Sequence, residues 1–374
     1  MRALGFSLLG FSLVNMASQG NVAILTTIAL IEQFGANLAP DAVHQVPQTP
    51  ADAPSPLVLL EAASKSLKAQ VTKVSLLSIN TPFTASAVAT SLQAVNESVL
   101  PSLVTAALLS TPETFTASFS KEIRGLVRSL LRDLLFLARL VDARSRDGQP
   151  KTALSNAKKS EITEATGRVW DGCDNLTKLA EHGLPGFVAR KAQQWLDLMK
   201  DAVKELQDWD PEEDVDDDLF GDATEDDGEP EEDKAEDDNR ATISAGVKDQ
   251  ALKVLSRIPQ SVHVLVKQRL DKFRPHVTSP LSVDTRKKLE DILSGTRQIS
   301  DMIDESAEGM YMGDLELCLK KAGEARALTI DIVEIGLKAL DQEAASDKPQ
   351  TQEDKFVQRA LDWIRQVDTG STNR

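Results

Sequence analysis

Apolar residues recur at intervals of three and four along most of this chain, from Leu57 to Val367. This spacing places them on one face of an α-helix. The alternating pattern of half-buried strands is absent, and the 4% aromatic content agrees, because strands are rich in aromatic residues. The pattern therefore predicts an all-α fold of nine or ten helices, arranged as two antiparallel bundles.

The longest regular pattern lies at Thr116–Ala143, where apolar residues fill one wide helix face. Three arginines, Arg124, Arg128 and Arg132, lie four residues apart on another face. They are open to three interpretations: a solvated helix face, local pairing with neighbours such as Asp133, or a docking strip for a carboxylate-rich segment. The chain's own acidic residues are one candidate for that segment.

Two further helices are predicted on either side of a stop at His182-Gly183. Trp170 and Cys173 lie on the apolar stripe of the first helix, and Trp195 lies on the stripe of the second. We predict that all three belong to the core. Cys173 has no candidate base at helical spacing, so it is interpreted as a small hydrophobic residue and not as a nucleophile.

The net charge of −16 is concentrated in one tract, because 19 acidic residues and a single lysine lie between Asp208 and Asp238. The remainder of the chain is nearly neutral. Like charges at this density repel and bury little apolar area, so the tract is predicted to be a disordered linker between the bundles. Candidate interaction residues within it are Asp216, Asp217, Asp218, Leu219 and Phe220.

The predicted organisation has five parts. They are an apolar and Pro-rich segment at 1–55, an N-terminal bundle at 56–207, the acidic linker at 208–240, a C-terminal bundle at 241–345, and a short helix with a polar tail at 346–374. Residues 1–20 imitate a signal peptide, and secretion is the minority interpretation. Neither early apolar run reaches the length of a membrane span, so no membrane association is expected.

Motifs for catalysis are missing from the sequence. It contains no GxSxG, GxxxxGK or HExxH motif, and its two cysteines and four histidines are scattered. We therefore predict no catalytic residues, no metal site and no cofactor. No helix combines a basic patch with base-reading side chains, so direct DNA binding is not expected.

Four segments carry a resemblance to one known family, in matching order and spacing. They are Leu67–Phe83 (LKAQVTKVSLLSINTPF), Phe119–Asp142 (FSKEIRGLVRSLLRDLLFLARLVD), Thr166–Leu179 (TGRVWDGCDNLTKL) and Ala192–Asp222, with a weaker similarity through Asp314–Ala339. The chain resembles the Grap-and-cyclin-D-interacting protein family, also called cyclin-D-binding protein, and most of all its fungal members. The resemblance covers about residues 56–343.

The resemblance implies a two-lobed helical protein of nucleus and cytoplasm, without catalysis, that binds cell-cycle and signalling proteins and restrains transcription and proliferation. Cyclin-D binding itself need not carry over to a fungal member. An alternative from another class is an acidic chaperone-like protein that binds histones or other basic proteins through residues 208–238. Salt sensitivity separates the two, because association through the tract weakens steeply with ionic strength.

Overall fold

The computed structural model of the protein describes residues 6–42, 54–147, 152–210, 231–275, 280–341 and 350–367. Side chains are described from Asn21 in the first of these ranges and from Thr242 in the fourth. These residues form helices and short connections, without a strand among them. The predicted all-α fold is confirmed, with helical parts before and after residues 211–230. The predicted disordered linker at 208–240 is wrong for residues 231–240, which are helical.

Helices account for most of the described residues. In chain order they are α1 (Phe6–Asn37), α2 (Pro56–Ile79), α3 (Ala85–Ala94), α4 (Leu100–Leu109), α5 (Ala117–Arg146), α6 (Asn156–Asp208), α7 (Glu231–Leu255), α8 (Arg257–Leu265), α9 (Val283–Tyr311), α10 (Leu315–Ile335) and α11 (Gln352–Arg365). One π-helical turn, Val95–Val99, joins α3 to α4, and another, Val266–Leu270, extends α8.

Backbone contacts divide the chain into two compact units, with the boundary inside α6 between Leu184 and Pro185. The helix is broken there by Gly183, whose φ of 60° and ψ of −163° belong to a region open almost only to glycine. The predicted stop at His182-Gly183 thus coincides with the kink. The predicted domain boundary after residue 207 differs from this division, because the second part of α6 groups with the C-terminal helices.

The N-terminal apolar segment supplies a helix that the sequence pattern left undecided. Helix α1 runs without interruption through the polar stretch 15–21 and packs on α3 and α5. Ile24 and Ile31 are buried, and the Asn96 side-chain amide donates to the Ala23 carbonyl at 3.3 Å. Residues 21–38 are therefore part of the first unit. The signal-peptide interpretation of residues 1–20 stays a prediction.

Helix α5 lies at the centre of the first unit. Thr116 caps its N-terminus by accepting a hydrogen bond from the Phe119 backbone N–H at 3.2 Å. Its apolar face is fully buried, including Phe119, and packs on α1 and α4. Helix α6 also approaches closely, because a Cβ at Gly172 would lie only 2.9 Å from the Leu130 side chain. Gly172 therefore allows the two helices to make contact.

The predicted core residues of α6 differ in how deeply they are buried. Cys173 is buried, with 1% of its surface exposed. Trp170 is 37% exposed and Trp195 is half-buried, so the prediction that both tryptophans lie in the core is wrong. The reason is register. Val169 and Leu196, each one position away, occupy the centres of the buried stripes, and the indoles project from the stripe edges.

The second unit contains a close antiparallel pair, α9 and α10. Gly313, with φ of 74°, lies in the connection between them. A Cβ at Gly295 would lie 2.4 Å from the Ile332 side chain, so a larger residue here would force that side chain to shift. Near the turn, the Ser306 hydroxyl donates to the Cys318 carbonyl at 2.8 Å. This bond satisfies a polar group that is buried between the two helices.

A buried arginine attaches the last helix to this unit. Arg269, 4% exposed, donates to the carbonyls of Gly336 at 2.5 Å and Leu337 at 2.9 Å, and to the Asp354 carboxylate at 2.5 Å. Asp354 also completes a capping box with Thr351 at the start of α11. Burial alone would raise the pKa of Asp354, but the Thr351 hydrogen bonds and the Arg269 charge outweigh burial and lower it.

The exposure of Trp170 predicts a small cost for its removal. Trp170→Ala should lower the free energy of unfolding by about 1 kcal/mol, whereas Phe119→Ala, at a fully buried site, should cost about 3–5 kcal/mol. Urea unfolding followed by circular dichroism measures both values. An equal loss for the two variants would contradict the burial difference.

The lowered pKa of Asp354 predicts a pH-dependent variant. Its ionised form stabilises the fold above the ordinary carboxyl value near pH 4, and this contribution disappears as pH falls through the lower folded value. Asp354→Asn should therefore cost about 2 kcal/mol at pH 7, and the difference from wild type should shrink below about pH 4. Urea titrations at several pH values measure this.

The matched control is Asp291→Asn, which breaks an exposed pair with Lys287. It should change the free energy of unfolding by less than about 1 kcal/mol both at pH 7 and at pH 3. A cost for Asp354→Asn that is equal at pH 7 and pH 3 would assign the effect to packing and not to charge.

Candidate protein-interaction surface

The outward face of α5 carries the arginines that the sequence singled out. Arg124, Arg128, Arg132 and Phe136 follow one another at four-residue spacing, and together they form what we call the α5 stripe. Four-residue spacing aligns side chains along one side of a helix. Because the opposite face is buried in the first unit, the stripe faces away from that core.

The three arginines differ in their surroundings. Arg124 is half-buried, and its Nε atom is buried without a hydrogen-bond partner among the described residues. Arg128 is exposed, and no ion pair involves it within the part of the chain that the structure describes. Arg132 is exposed and donates to the Ser129 hydroxyl at 3.0 Å. Two guanidinium groups are therefore open to a partner.

The Arg124 charge also reaches a neighbouring loop. The pKa of Glu113 is lowered mainly by a backbone hydrogen bond, then by the Thr111 hydroxyl, with a smaller contribution from Arg124. The structure does not show the predicted pairing of the three arginines with Asp133. Asp133 lies 4.0 Å from Arg168 of α6 instead.

Phe136 ends the α5 stripe with an aromatic ring that is 43% exposed. The Arg168 guanidinium lies 4.9 Å from the centre of this ring, a cation–π geometry. Arg168 thus bridges Phe136 and Asp133, and it holds α6 beside the stripe. The result is an exposed aromatic side chain between cationic groups, a combination that is enriched at protein interfaces.

A shallow groove of about 220 Å³ runs between α5 and α6 next to the stripe. Its lining mixes apolar and polar side chains, namely Leu126, Ser129, Leu130, Asp133, Arg168, Asp171, Gly172 and Asn175. Gly172 lies in this lining at the point where α6 closely approaches Leu130 of α5. A single apolar side chain of a partner is of the size that this space accommodates.

Sequence reasoning found the arginines but missed Phe136 and Arg168. Extending the spacing from Arg132 by four more residues would have placed Phe136 on the same face. Arg168 carried no such signal, because its role depends on how α6 packs against α5. The other predicted interaction residues, Asp216, Asp217, Asp218, Leu219 and Phe220, lie outside the described residues.

Neither cysteine is suited to act as a nucleophile. Burial, with a smaller contribution from Asp174, raises the pKa of Cys173 to about 12, and burial also raises the pKa of Cys318. A thiol with so high a pKa is almost entirely protonated near neutral pH and therefore reacts slowly. Among the described residues, no group of three or more His, Cys, Asp and Glu side chains could hold a metal ion.

One helical stretch, Ala85–Leu109, is long and apolar enough to cross a membrane by length and composition. It has a mean hydropathy of 1.3, and 44% of the window is buried inside the structure. Its helices pack on α1, α2 and α5. A core helix meets the same criteria, so the stretch is weak grounds for a membrane span.

The described residues define an all-helical class of protein with a cationic and aromatic helix face. Residues 59–212 match the family described as Grap2 and cyclin-D-interacting, N-terminal. Over this segment the chain is similar to that family and the predicted resemblance is confirmed, while the similarity to fungal members stays a prediction. The match includes the α5 stripe and the α5–α6 groove. No curated protein matches the chain.

Burial of both thiols predicts that they are inert in the folded protein. At pH 8 the reaction of Cys173 with a disulfide reagent such as DTNB should be about a thousandfold slower than that of a free thiol, and the reaction of Cys318 should also be slower. In guanidinium both should react at the ordinary rate, which serves as the control. Rapid reaction of one thiol in the native state would show that it is accessible and contradict the assignment.

Proposed function

We propose that this chain is a non-catalytic protein-interaction module that regulates cell-cycle progression and transcription in the nucleus and cytoplasm, as cyclin-D-binding proteins do. The observation that carries the proposal is the family match over residues 59–212 together with an exposed interaction surface inside the matched segment. Its helical fold and its unreactive thiols are consistent with a role in binding.

The α5 stripe is the proposed contact surface. Arg128 and Arg132 offer bidentate donors that suit carboxylates, and Phe136 offers an apolar ring that loses little conformational entropy on binding. Arginine and aromatic side chains carry much of the binding energy in protein complexes. The partner that fits is an acidic segment with at least one apolar side chain, which would enter the α5–α6 groove while its carboxylates meet the arginines.

The second candidate function is that of an acidic chaperone for histones or other basic proteins. It is favoured by one observation, the 19 acidic residues between Asp208 and Asp238. The two candidates use surfaces of opposite charge. A partner of the α5 stripe is acidic, whereas a partner of the tract is basic, so charge-reversing variants distinguish them.

The decisive variant reverses two charges on the stripe. Arg128→Glu/Arg132→Glu should weaken binding of the full chain to a purified D-type cyclin at least tenfold, because each exposed charge contributes up to about 1 kcal/mol. Titration calorimetry at low and physiological salt measures the affinity. Histone binding should not weaken, since the tract is unchanged.

The matched control is Lys73→Glu/Lys178→Glu, which makes the same charge change at two exposed lysines of the first unit. It should leave cyclin binding within about twofold of wild type. Equal losses of cyclin affinity in the two double variants would indicate a non-specific electrostatic effect and would exclude the α5 stripe as the contact surface. Tight, salt-sensitive histone binding without cyclin binding would favour the chaperone candidate.

A further inference from the structure

A cleft of the second unit lies between the part of α6 after Gly183 and α8. Its volume is about 640 Å³. Three basic side chains line it, Lys200 and Lys204 from α6 and His263 from α8, and no carboxylate is among its lining residues. A cleft of this composition is suited to an anionic occupant.

The basic side chains are largely available for such an occupant. Lys200 has an acidic neighbour, Asp197, at 3.3 Å, in a pair whose two side chains are both exposed. No ion pair involves Lys204 or His263 within the described ranges. Exposed pairs such as Lys200–Asp197 are weak, so they yield readily to a better-placed carboxylate.

The charges around His263 also favour an anionic occupant of the cleft. Partial burial lowers its pKa first, and the neighbouring Lys200 and Lys267 lower it further, while Asp271 and Asp197 oppose them. The positive charges therefore outweigh the negative charges around this ring. Carboxylates brought into the cleft would reverse that balance and raise the pKa of His263.

The cleft is not only charged. Its lining also contains the apolar residues Val203, Pro259 and Val264. An occupant that complements it needs acidic side chains to meet the lysines and apolar side chains to cover these three residues. Neither a simple anion nor a uniformly charged polymer meets both requirements.

The chain itself is fixed in place next to this cleft. Gln207 lines it, and two residues later Trp209 packs edge-to-face on Tyr311, with ring centres 5.3 Å apart. Lys248 donates to the Gln207 carbonyl at 3.0 Å and to the Trp209 carbonyl. The end of α6 is therefore held by α7 and α9, and the acidic tract begins at this anchored point.

The sequence that follows has the required chemistry. Residues 212–220 read Glu-Glu-Asp-Val-Asp-Asp-Asp-Leu-Phe, which places Val215 and Leu219 four residues apart among six acids, with Phe220 adjacent. These residues lie outside the described part of the chain. Both neighbouring described residues, Asp210 and Glu231, belong to the second unit, which also contains the cleft.

We propose that residues 212–220 of this chain bind in the α6–α8 cleft of the same molecule, with their acids on Lys200, Lys204 and His263 and their apolar side chains on Val203, Pro259 and Val264. The reach is sufficient, because an extended chain covers about 3.3 Å per residue and the cleft begins at Gln207. A tether this short gives an effective concentration on the order of millimolar, so weak contacts suffice.

Proteolysis of the full chain tests the proposal directly. Binding in the cleft protects the bond after Phe220 from chymotrypsin, and cleavage follows the population of the released state. Lys200→Glu/Lys204→Glu should speed cleavage after Phe220 about tenfold at low salt, as measured by mass spectrometry of the fragments. In wild type, 0.5 M salt should produce a similar increase.

The control is Lys320→Glu/Lys355→Glu, an equal charge change at two exposed lysines of the same unit. It should leave the cleavage rate within twofold of wild type. Equal acceleration by both double variants, or no acceleration by either, would overturn the proposal, and fast cleavage in wild type at low salt would overturn it as well.

A second measurement does not depend on a protease. The pKa of His263, followed by NMR in the full chain, should fall in Asp216→Asn/Asp217→Asn/Asp218→Asn. The same neutralisation in Glu225→Gln/Asp226→Asn/Asp227→Asn should change it much less. Leu219→Ser/Phe220→Ser should also lower it, although no charge is altered. If the two triple variants change the pKa of His263 equally, or if the apolar variant does not change it, the effect is a long-range electrostatic one. Either result would overturn specific binding in the cleft.

Discussion

Burial of one face of α5 is the constraint on which the first unit and its candidate site both depend. Phe119, Ile123, Leu130 and Leu137 are fully buried, and α1, α4 and α6 pack around this helix. Burying side chains of this size contributes about 1.5–3 kcal/mol each, far more than any exposed ion pair in the unit. Once that face is inside, the helix period requires the stripe of Arg128, Arg132 and Phe136 to be outside.

This coupling explains why part of the site could be predicted from the sequence. Amphipathic spacing identified α5, its buried face and the arginines opposite, because all three follow from one helical period. Phe136 follows from the same period by one further step. Arg168 and the groove do not, since they depend on Gly172 letting α6 approach Leu130, which is a property of packing between segments.

The predictions and the structure differ in three places. Trp170 and Trp195 lie at the edges of apolar stripes, where an uncertainty of one position in register moves a side chain from core to surface. Helix α1 was left undecided because its polar interruption resembles a break, yet the helix continues through it and packs on α3 and α5. The domain boundary was placed at the composition change, whereas the contacts divide the chain at the Gly183 kink.

The net charge of −16 does not show where the acidic residues lie, and their location matters for binding. An acidic tract whose described neighbours both belong to the second unit is tethered to the unit that carries the cleft with Lys200 and Lys204. A partner for the stripe needs acidic and apolar side chains, and residues 212–220 have the same chemistry as that partner. On the proposal made above, the short tether to the cleft favours binding there, because a short tether gives a high effective concentration. On the same proposal, the exposed arginines of α5 stay available to an acidic segment of another protein.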